Sequence, residues 1–413
     1  MTFHYNRVVL CSYGSKRSTR VYAALALAVS IFASAAEATT WHVGPDQTGP
    51  GTFTSPMRLW ASRQLADGDT VQIDACTYTN DFNPANTGTN DVTIYANNVN
   101  ISAVKSSSPS CVVPDPWDGA NPSHPAMAMI TLSPCPSPTY TGCPGVAKGL
   151  WNVHGSGMTI DHIAFVGAYN DAKAGVNAGG LRLENATGLT TLSNDYFGRN
   201  QMGLFVGVVG TPDLLIKNSE FAGNGVGCVL ACTHQVYLQG NSVTVQNSYF
   251  HDPNQVVNPS ANGHGHQIKS RALSTTITET RIFDNAKTAS FDINIPQGGN
   301  IDVENNVIQK GPHAENTYMM DTGWNGADQP MHPTNGMTVV GNTFVNDYTK
   351  GVIAVHNGYR SSSVTISNNT FIGVTPGQVH DGGPAMHSGN TFTTTRPALD
   401  TSSPISGMVQ RRP

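Results

Sequence analysis

The stretch GHGHQIKSRA, residues 263–272, sets two histidines, a lysine and an arginine within ten residues of a chain that is only 12% charged. As an extended strand, HQIKSRA turns Ile268 and Ser270 to one side and Gln267, Lys269 and Arg271 to the other. Lys269 and Arg271 would then stand about 6.7 Å apart on one face, with His264 and His266 entering from the adjoining glycine-rich turn. Two like charges at that distance repel by roughly 2.5 kcal/mol at an effective dielectric near 20. That repulsion draws a lysine down from its ordinary pKa of about 10.4 and so favours a neutral amine able to take a proton. The chemistry that wants this set is removal of a weakly acidic proton beside a carboxylate. Lys269 would act as base, Arg271 would hold the carboxylate with its planar fork, and Tyr237 or His266 would protonate a leaving oxygen. An acidic, uronate-containing polysaccharide cleaved by β-elimination asks for those three roles.

Units before and after this strand would extend the same face. Gln235, Tyr237 and Gln239 fall on the preceding unit, Asp292 and Asn294 on the following one, and Asp321 and His356 further on. Stacked about 4.8 Å apart, they make a long polar surface suited to an extended polymer. An insertion, GWNGADQPMHPTN, carries Trp324 and His332 as an aromatic platform for a sugar ring or simply as a packed loop. The competing reading is a solvated strand face on a non-catalytic carbohydrate-binding or surface-structural protein. Hydrolysis is disfavoured because no adjacent Asp-Asp pair occurs, and a lipase-type esterase because G-x-S-x-G is missing.

What positions these residues is a repeat. MTIDHIAF165, TTLSNDYF197, LLIKNSEF221, VTVQNSYF250, TITETRI282, IDVENNVI308, MTVVGNTF344 and VTISNNTF371 share an alternating apolar strand, a polar residue that is usually asparagine, and a final apolar residue. Such units recur every 21 to 36 residues through SGNTF392, the period of a solenoid whose unit is β rather than helical. The asparagines suit a left-handed corner and coil-to-coil amide bonds. Val245, Val303, Val339 and Ile366, with Phe197, Phe221, Phe250 and Phe371, should point inward and stack. A second strand per unit precedes each of these, as in GLRLEN, GLFVG, HQVYLQG and FDINIP. The expected fold is all-β: a single-stranded parallel β-helix over residues 39–395, followed by a tail over 396–413. Ser55, Pro56 and Gly68 mark a short capping helix at its start. The Pro- and Ser-rich segment 105–149 breaks the period and reads as a disulfide-pinned loop insertion.

Residues 1–38 read as a cleaved signal peptide: basic residues, the apolar run VYAALALAVSIFASAAEA, then small residues. The remaining chain is expected to be secreted, extracellular or periplasmic, without a membrane span, and monomeric. Loss of Arg7, Lys16, Arg17, Arg20 and Glu37 takes the formal net charge from −5 to −8, which argues against nucleic acid as a partner. Six of the seven cysteines remain. Cys135 with Cys143 and Cys228 with Cys232 are the natural close pairs, leaving Cys76 with Cys111, although spacing alone does not fix connectivity.

The opening LADGDTVQIDACTY and the N-x-x-F coils resemble the right-handed parallel β-helix proteins of the pectin-lyase-like superfamily. Locally, Ile268-Lys269-Ser270, followed one coil later by the strand and glycine turn from Ile293 to Gly299, is similar to chondroitinase B and the related β-helical alginate lyases. The resemblance implies a base at Lys269. The family's arginine falls on Pro296 and its calcium-binding acids on Asn262 and His264, so Arg271, His264 or His266 would have to substitute. Calcium is the cofactor the resemblance implies; the residues themselves specify none.

Overall fold

Each repeat unit folds as two short strands joined by a tight corner, and a third strand completes the coil. The computed structural model describes residues 37–81, 93–112, 127–133, 146, 148–169, 178–184, 186–207, 212–226, 234–253, 265–285, 289–323, 332, 336–359 and 363–406. Its strands form three sheets of 13, 11 and 10 members, here A, B and C, and each strand pairs with the equivalent strand one coil away. A representative coil runs Ser242–Gln246 (A), Tyr249–His251 (B) and Ile268–Ser270 (C), and the pairings between coils are parallel. Residues 1–36, nearly all of the segment with signal-peptide character, lie outside the described residues.

The corner between A and B explains the asparagines. Asn194, Asn218, Asn247, Asn305 and Asn368 have φ between 42° and 57°, His162 and Glu279 have 58° and 53°, and Gly341 takes the same place at 70°. Asparagine tolerates this left-handed backbone because its short side chain bonds locally, and glycine because it has no Cβ. The coil-to-coil amide ladder, however, sits mainly one residue later than expected. Asn306, Asn342 and Asn369 are buried and linked in series: Asn306 Nδ2 donates to Asn342 Oδ1 at 2.9 Å and Asn342 Nδ2 to Asn369 Oδ1 at 3.0 Å. Each also donates to a strand carbonyl, so the amides satisfy the corner's polar groups inside the tube.

The interior follows the alternation. Val245, Val303, Val339 and Ile366 are fully buried. Phe165, Phe197, Phe221 and Phe250 stack ring on ring at 5.2, 4.6 and 4.5 Å, each burial contributing about 1.5–3 kcal/mol.

At the start, helix Pro56–Ser62 seats Leu59 and Trp60 on the first coils, and Trp60 meets Trp151 edge-on at 5.4 Å. Its caps differ from the expected ones. Ser55 makes no side-chain cap; Asp81 Oδ2 accepts from Met57 N at 2.9 Å instead, and the helix ends in a left-handed Arg63 rather than at Gly68. The 105–149 segment is more than a loop, because Ala128–Thr131 within it is a sheet B strand in register with Thr77–Thr79 and Ile163–Val166. Cys76 and Cys111 are joined, pinning its first part. Cys135, Cys143, Cys228 and Cys232 lie outside the described residues.

Residues 396–406 run back along the outer face of sheet B. Arg396 bonds Asp347, Arg281 bonds Asp400 at 2.7 Å, Ile405 packs with Met127, Ala164, Val166, Tyr196 and Ala222, and Ser406 reaches Asn194 and His162. The strap ties late coils to an early one, so Ile405→Ala should lower unfolding stability by about 2 kcal/mol. An unchanged denaturant midpoint would show that the strap contributes nothing to stability.

Candidate functional site

On sheet C the strand Ile268–Ser270 turns Ile268 into the core and sends Lys269 to the outer face, where its neighbours leave it only 8% exposed. Parallel register then places one outward residue per coil in a single row: Asn152, Arg182, Phe205, Tyr237, Lys269, Asn294, Asp321, His356 and Asp381. The expected neighbours Tyr237, Lys269, Asn294, Asp321 and His356 are therefore brought together in that order. Asn152, Arg182, Phe205 and Asp381 are additions that the sequence reading missed. Each holds the same place in its own strand as Lys269 does, so alignment of the C strands by register would have found them.

Tyr237 is the centre of the cationic part. Its ring stacks on Phe205 at 5.2 Å, and its hydroxyl accepts from Arg271 Nη1. The Arg271 guanidinium carbon and Lys269 Nζ lie 5.2 and 5.8 Å from the ring centroid, within cation–π range. One phenol thus contacts both cations, which offsets part of their mutual repulsion. His332 Nε2 donates to the Arg271 carbonyl at 3.1 Å, which sets this residue beside the end of the strand. Arg182 extends the row at its other end, over the Phe205 ring at 4.2 Å and paired with Glu184 at 2.6 Å.

Beyond Asn294 the row turns acidic. Asn294 Nδ2 donates to Asp321 Oδ2 at 2.7 Å. His356 Nδ1 bonds Asp381, and its ring lies 4.4 Å from that of Tyr318, whose phenol pKa is raised by partial burial and by Asp381.

Several expected site residues lie elsewhere. Gln235, Gln267 and Asp292 are buried at the corner between sheets B and C, because the outward alternation begins only where the strand itself begins. Gln235 Nε2 donates to the His251 carbonyl at 2.6 Å and Gln267 Nε2 to that of Phe283 at 2.8 Å. Asp292 stands 3.9 Å from the buried Lys310 amine. His266 stacks on His234 and meets Phe291 at a tilt, each at 4.8 Å. Burial, with help from Lys269 and Arg271, pushes both imidazoles well below their ordinary value. Phe291 N donates to His266 Nδ1 and His266 N to His234 Nδ1, so the hydrogen-bond pattern assigns both rings as neutral with the proton on Nε2. Gln239 is half-buried just past the strand Val236–Leu238. His264 and Trp324 lie outside the described residues.

Calcium would need several oxygen donors converging on one point. Among the described residues no three His, Cys, Asp or Glu side chains converge to hold a metal ion, and the positions the resemblance points to, Asn262 and His264, lie outside them. The described donor set therefore does not fit calcium. Among the described residues no helix is long and apolar enough to cross a membrane.

No curated protein matches the chain in sequence. Solved structures of similar shape include an alginate lyase from Paenibacillus sp. str. FPU-7, with 11% identity and a TM-score of 0.46 over 86% of this chain and 96% of that one. The pectate lyase Pel9A has 14% identity and a TM-score of 0.45, over 88% and 82%. PfbA, a surface adhesin of Streptococcus pneumoniae, has 11% identity and a TM-score of 0.31, over 82% and 86%. Residues 206–395 match the family model described as a right handed beta helix region. With three parallel sheets wound over the described residues and that match across its later coils, the chain folds as a right-handed parallel β-helix.

Proposed function

We propose that the chain is a secreted, monomeric lyase that cleaves a uronate-containing polysaccharide by β-elimination on the outer face of sheet C. The observation that carries this reading is the convergence of Lys269 and Arg271 on Tyr237 in the middle of an extended row. Lys269, in its neutral form, takes the C5 proton of the uronate. The electron pair left at C5 forms the C4–C5 double bond as the C4–O bond breaks, and Tyr237 gives its phenolic proton to the departing oxygen. Arg271 serves both ends of this step: Nη1 polarises the Tyr237 phenol, and the rest of its fork faces the substrate carboxylate, whose negative charge grows as the proton leaves. Neutral His234 and His266 pack beside the cations and keep positive charge confined to the lysine and arginine.

Incubation with alginate, pectate and chondroitin should generate the ultraviolet absorbance of unsaturated ends from at least one of them. A flat trace on all three, with full-length polymer recovered, would overturn cleavage. A second reading, non-catalytic glycan binding, is favoured by the Arg182–Phe205–Tyr237 stack, which extends the row with a cation and aromatic edges. Retardation in a glycan-containing gel without chain shortening would select it.

A further inference from the structure

The strands His380–Gly382, Met386–Ser388 and Thr391–Thr393 end the three sheets and form the last coil. Their inward positions follow directly from register. His380 pairs with Val355, His387 with Ile366 and Phe392 with Phe371, all three partners being core residues of the coil before. At these places earlier coils carry Ile268, Ile293 and Met320 on sheet C, and Val245, Ile277, Val303 and Val339 on sheet A. Where the tube opens, two core positions therefore change from aliphatic to imidazole. The two rings turn toward each other across the opening, with His380 Nδ1 and His387 Nε2 3.0 Å apart and centroids 4.6 Å apart. They line an open cleft with Ser388, Asn390 and Phe392.

We propose that His380 and His387 chelate a transition-metal ion of the Cu²⁺ or Ni²⁺ type at this open end. With metal–nitrogen bonds of about 2.0–2.1 Å, nitrogens 3.0 Å apart subtend an angle of about 94° at the metal. That matches two neighbouring positions of a tetragonal or octahedral ion, near 90°, whereas a tetrahedral ion such as Zn²⁺ would want the nitrogens about 3.3 Å apart. Imidazole nitrogens suit copper and nickel, and copper heads the affinity order. Asp381, next in sequence, is engaged by His356. With no third His, Cys, Asp or Glu in the cluster among the described residues, the remaining positions on the ion are left to water or an external ligand. The site lies on the tube's end rather than on the outer face of sheet C, so it stands apart from the proposed lyase chemistry.

The test is titration of the full chain, first stripped with EDTA, with CuCl₂, NiCl₂ and ZnCl₂, followed by calorimetry and, for copper, electron paramagnetic resonance. We expect one equivalent of Cu²⁺ with nitrogen hyperfine structure from two equatorial imidazoles, weaker Ni²⁺, and Zn²⁺ weaker than Cu²⁺. His380→Asn and His387→Asn should each lose the two-nitrogen signature and weaken binding by about tenfold or more, equivalent to about 1.4 kcal/mol. Metal-free unfolding midpoints of both variants near that of the parent would separate lost chelation from lost folding. Unchanged copper affinity and spectrum in the double variant would overturn the proposal, as would no binding by the parent.

Discussion

Lys269→Ala should reduce the formation of unsaturated ends by about 10²–10⁴-fold, the usual worth of a positioned general base. The loss should fall on kcat. Lys269→Met is the sharper variant, because it keeps most of the stem that lies beside the Tyr237 ring and removes only the amine. Both variants should unfold at midpoints close to the parent's. Arg271→Lys keeps the charge but loses the planar fork that reaches both Tyr237 and a carboxylate. It should raise KM as well as lower kcat. Parent-like turnover in Lys269→Met would remove the lysine from the mechanism while leaving the groove as a binding surface.

Lys310→Met should destabilise the fold by about 3–5 kcal/mol, the cost of stripping a buried charge cluster of one partner. Lys310 and Asp292 are both fully buried, and Lys310 Nζ also donates to the Ser290 carbonyl at 2.5 Å. Burial, then the adjacent Asp284, holds the Asp292 carboxyl well above the ordinary 3.8. Burial thus favours the protonated form of Asp292, whose carboxyl lies 3.9 Å from the Lys310 amine. Asp292→Asn imitates the protonated acid and should therefore cost about 1 kcal/mol or less. The pH dependence has a definite sign. A carboxyl whose folded pKa is raised contributes most below 3.8, and its contribution falls as pH climbs from there to the raised value. Asp292→Asn should lack that decline, so its stability relative to the parent should improve with rising pH in urea titrations. Parallel curves for the two proteins would contradict the raised Asp292 pKa.

The coil period is legible in the sequence because one corner per turn demands a left-handed residue shortly before an inward aromatic, and both leave a mark at fixed spacing. The same clarity fails where structure is set from a distance. Nothing near Ser55 announces that Asp81 will cap the helix, and the proline-rich surroundings of Ala128–Thr131 hide a strand that only register with its neighbours reveals. Alternation within a strand is enough to put Lys269, Tyr237 and Asn294 on the outer face. It misleads for Gln267, Gln235 and Asp292, which precede the first residue of their strands and turn into the corner. Arg182 and Phe205 lie on strands that the sequence shows, yet their membership in the row needs the coil-to-coil alignment that unequal connections obscure.

Those unequal connections have a consequence for how such a protein can change. From Ser193 onward, two residues join each A strand to its B strand, as at 194–195 and 247–248, whereas B-to-C links range from three residues, 199–201, to sixteen, 252–267. The tight corner admits no extra residue without losing its left-handed turn, but the long link can grow freely because loop closure costs little more with length. Insertions are therefore tolerated along the border of sheet C. Evolution can remodel the walls around Lys269 and Tyr237 while the winding underneath stays fixed.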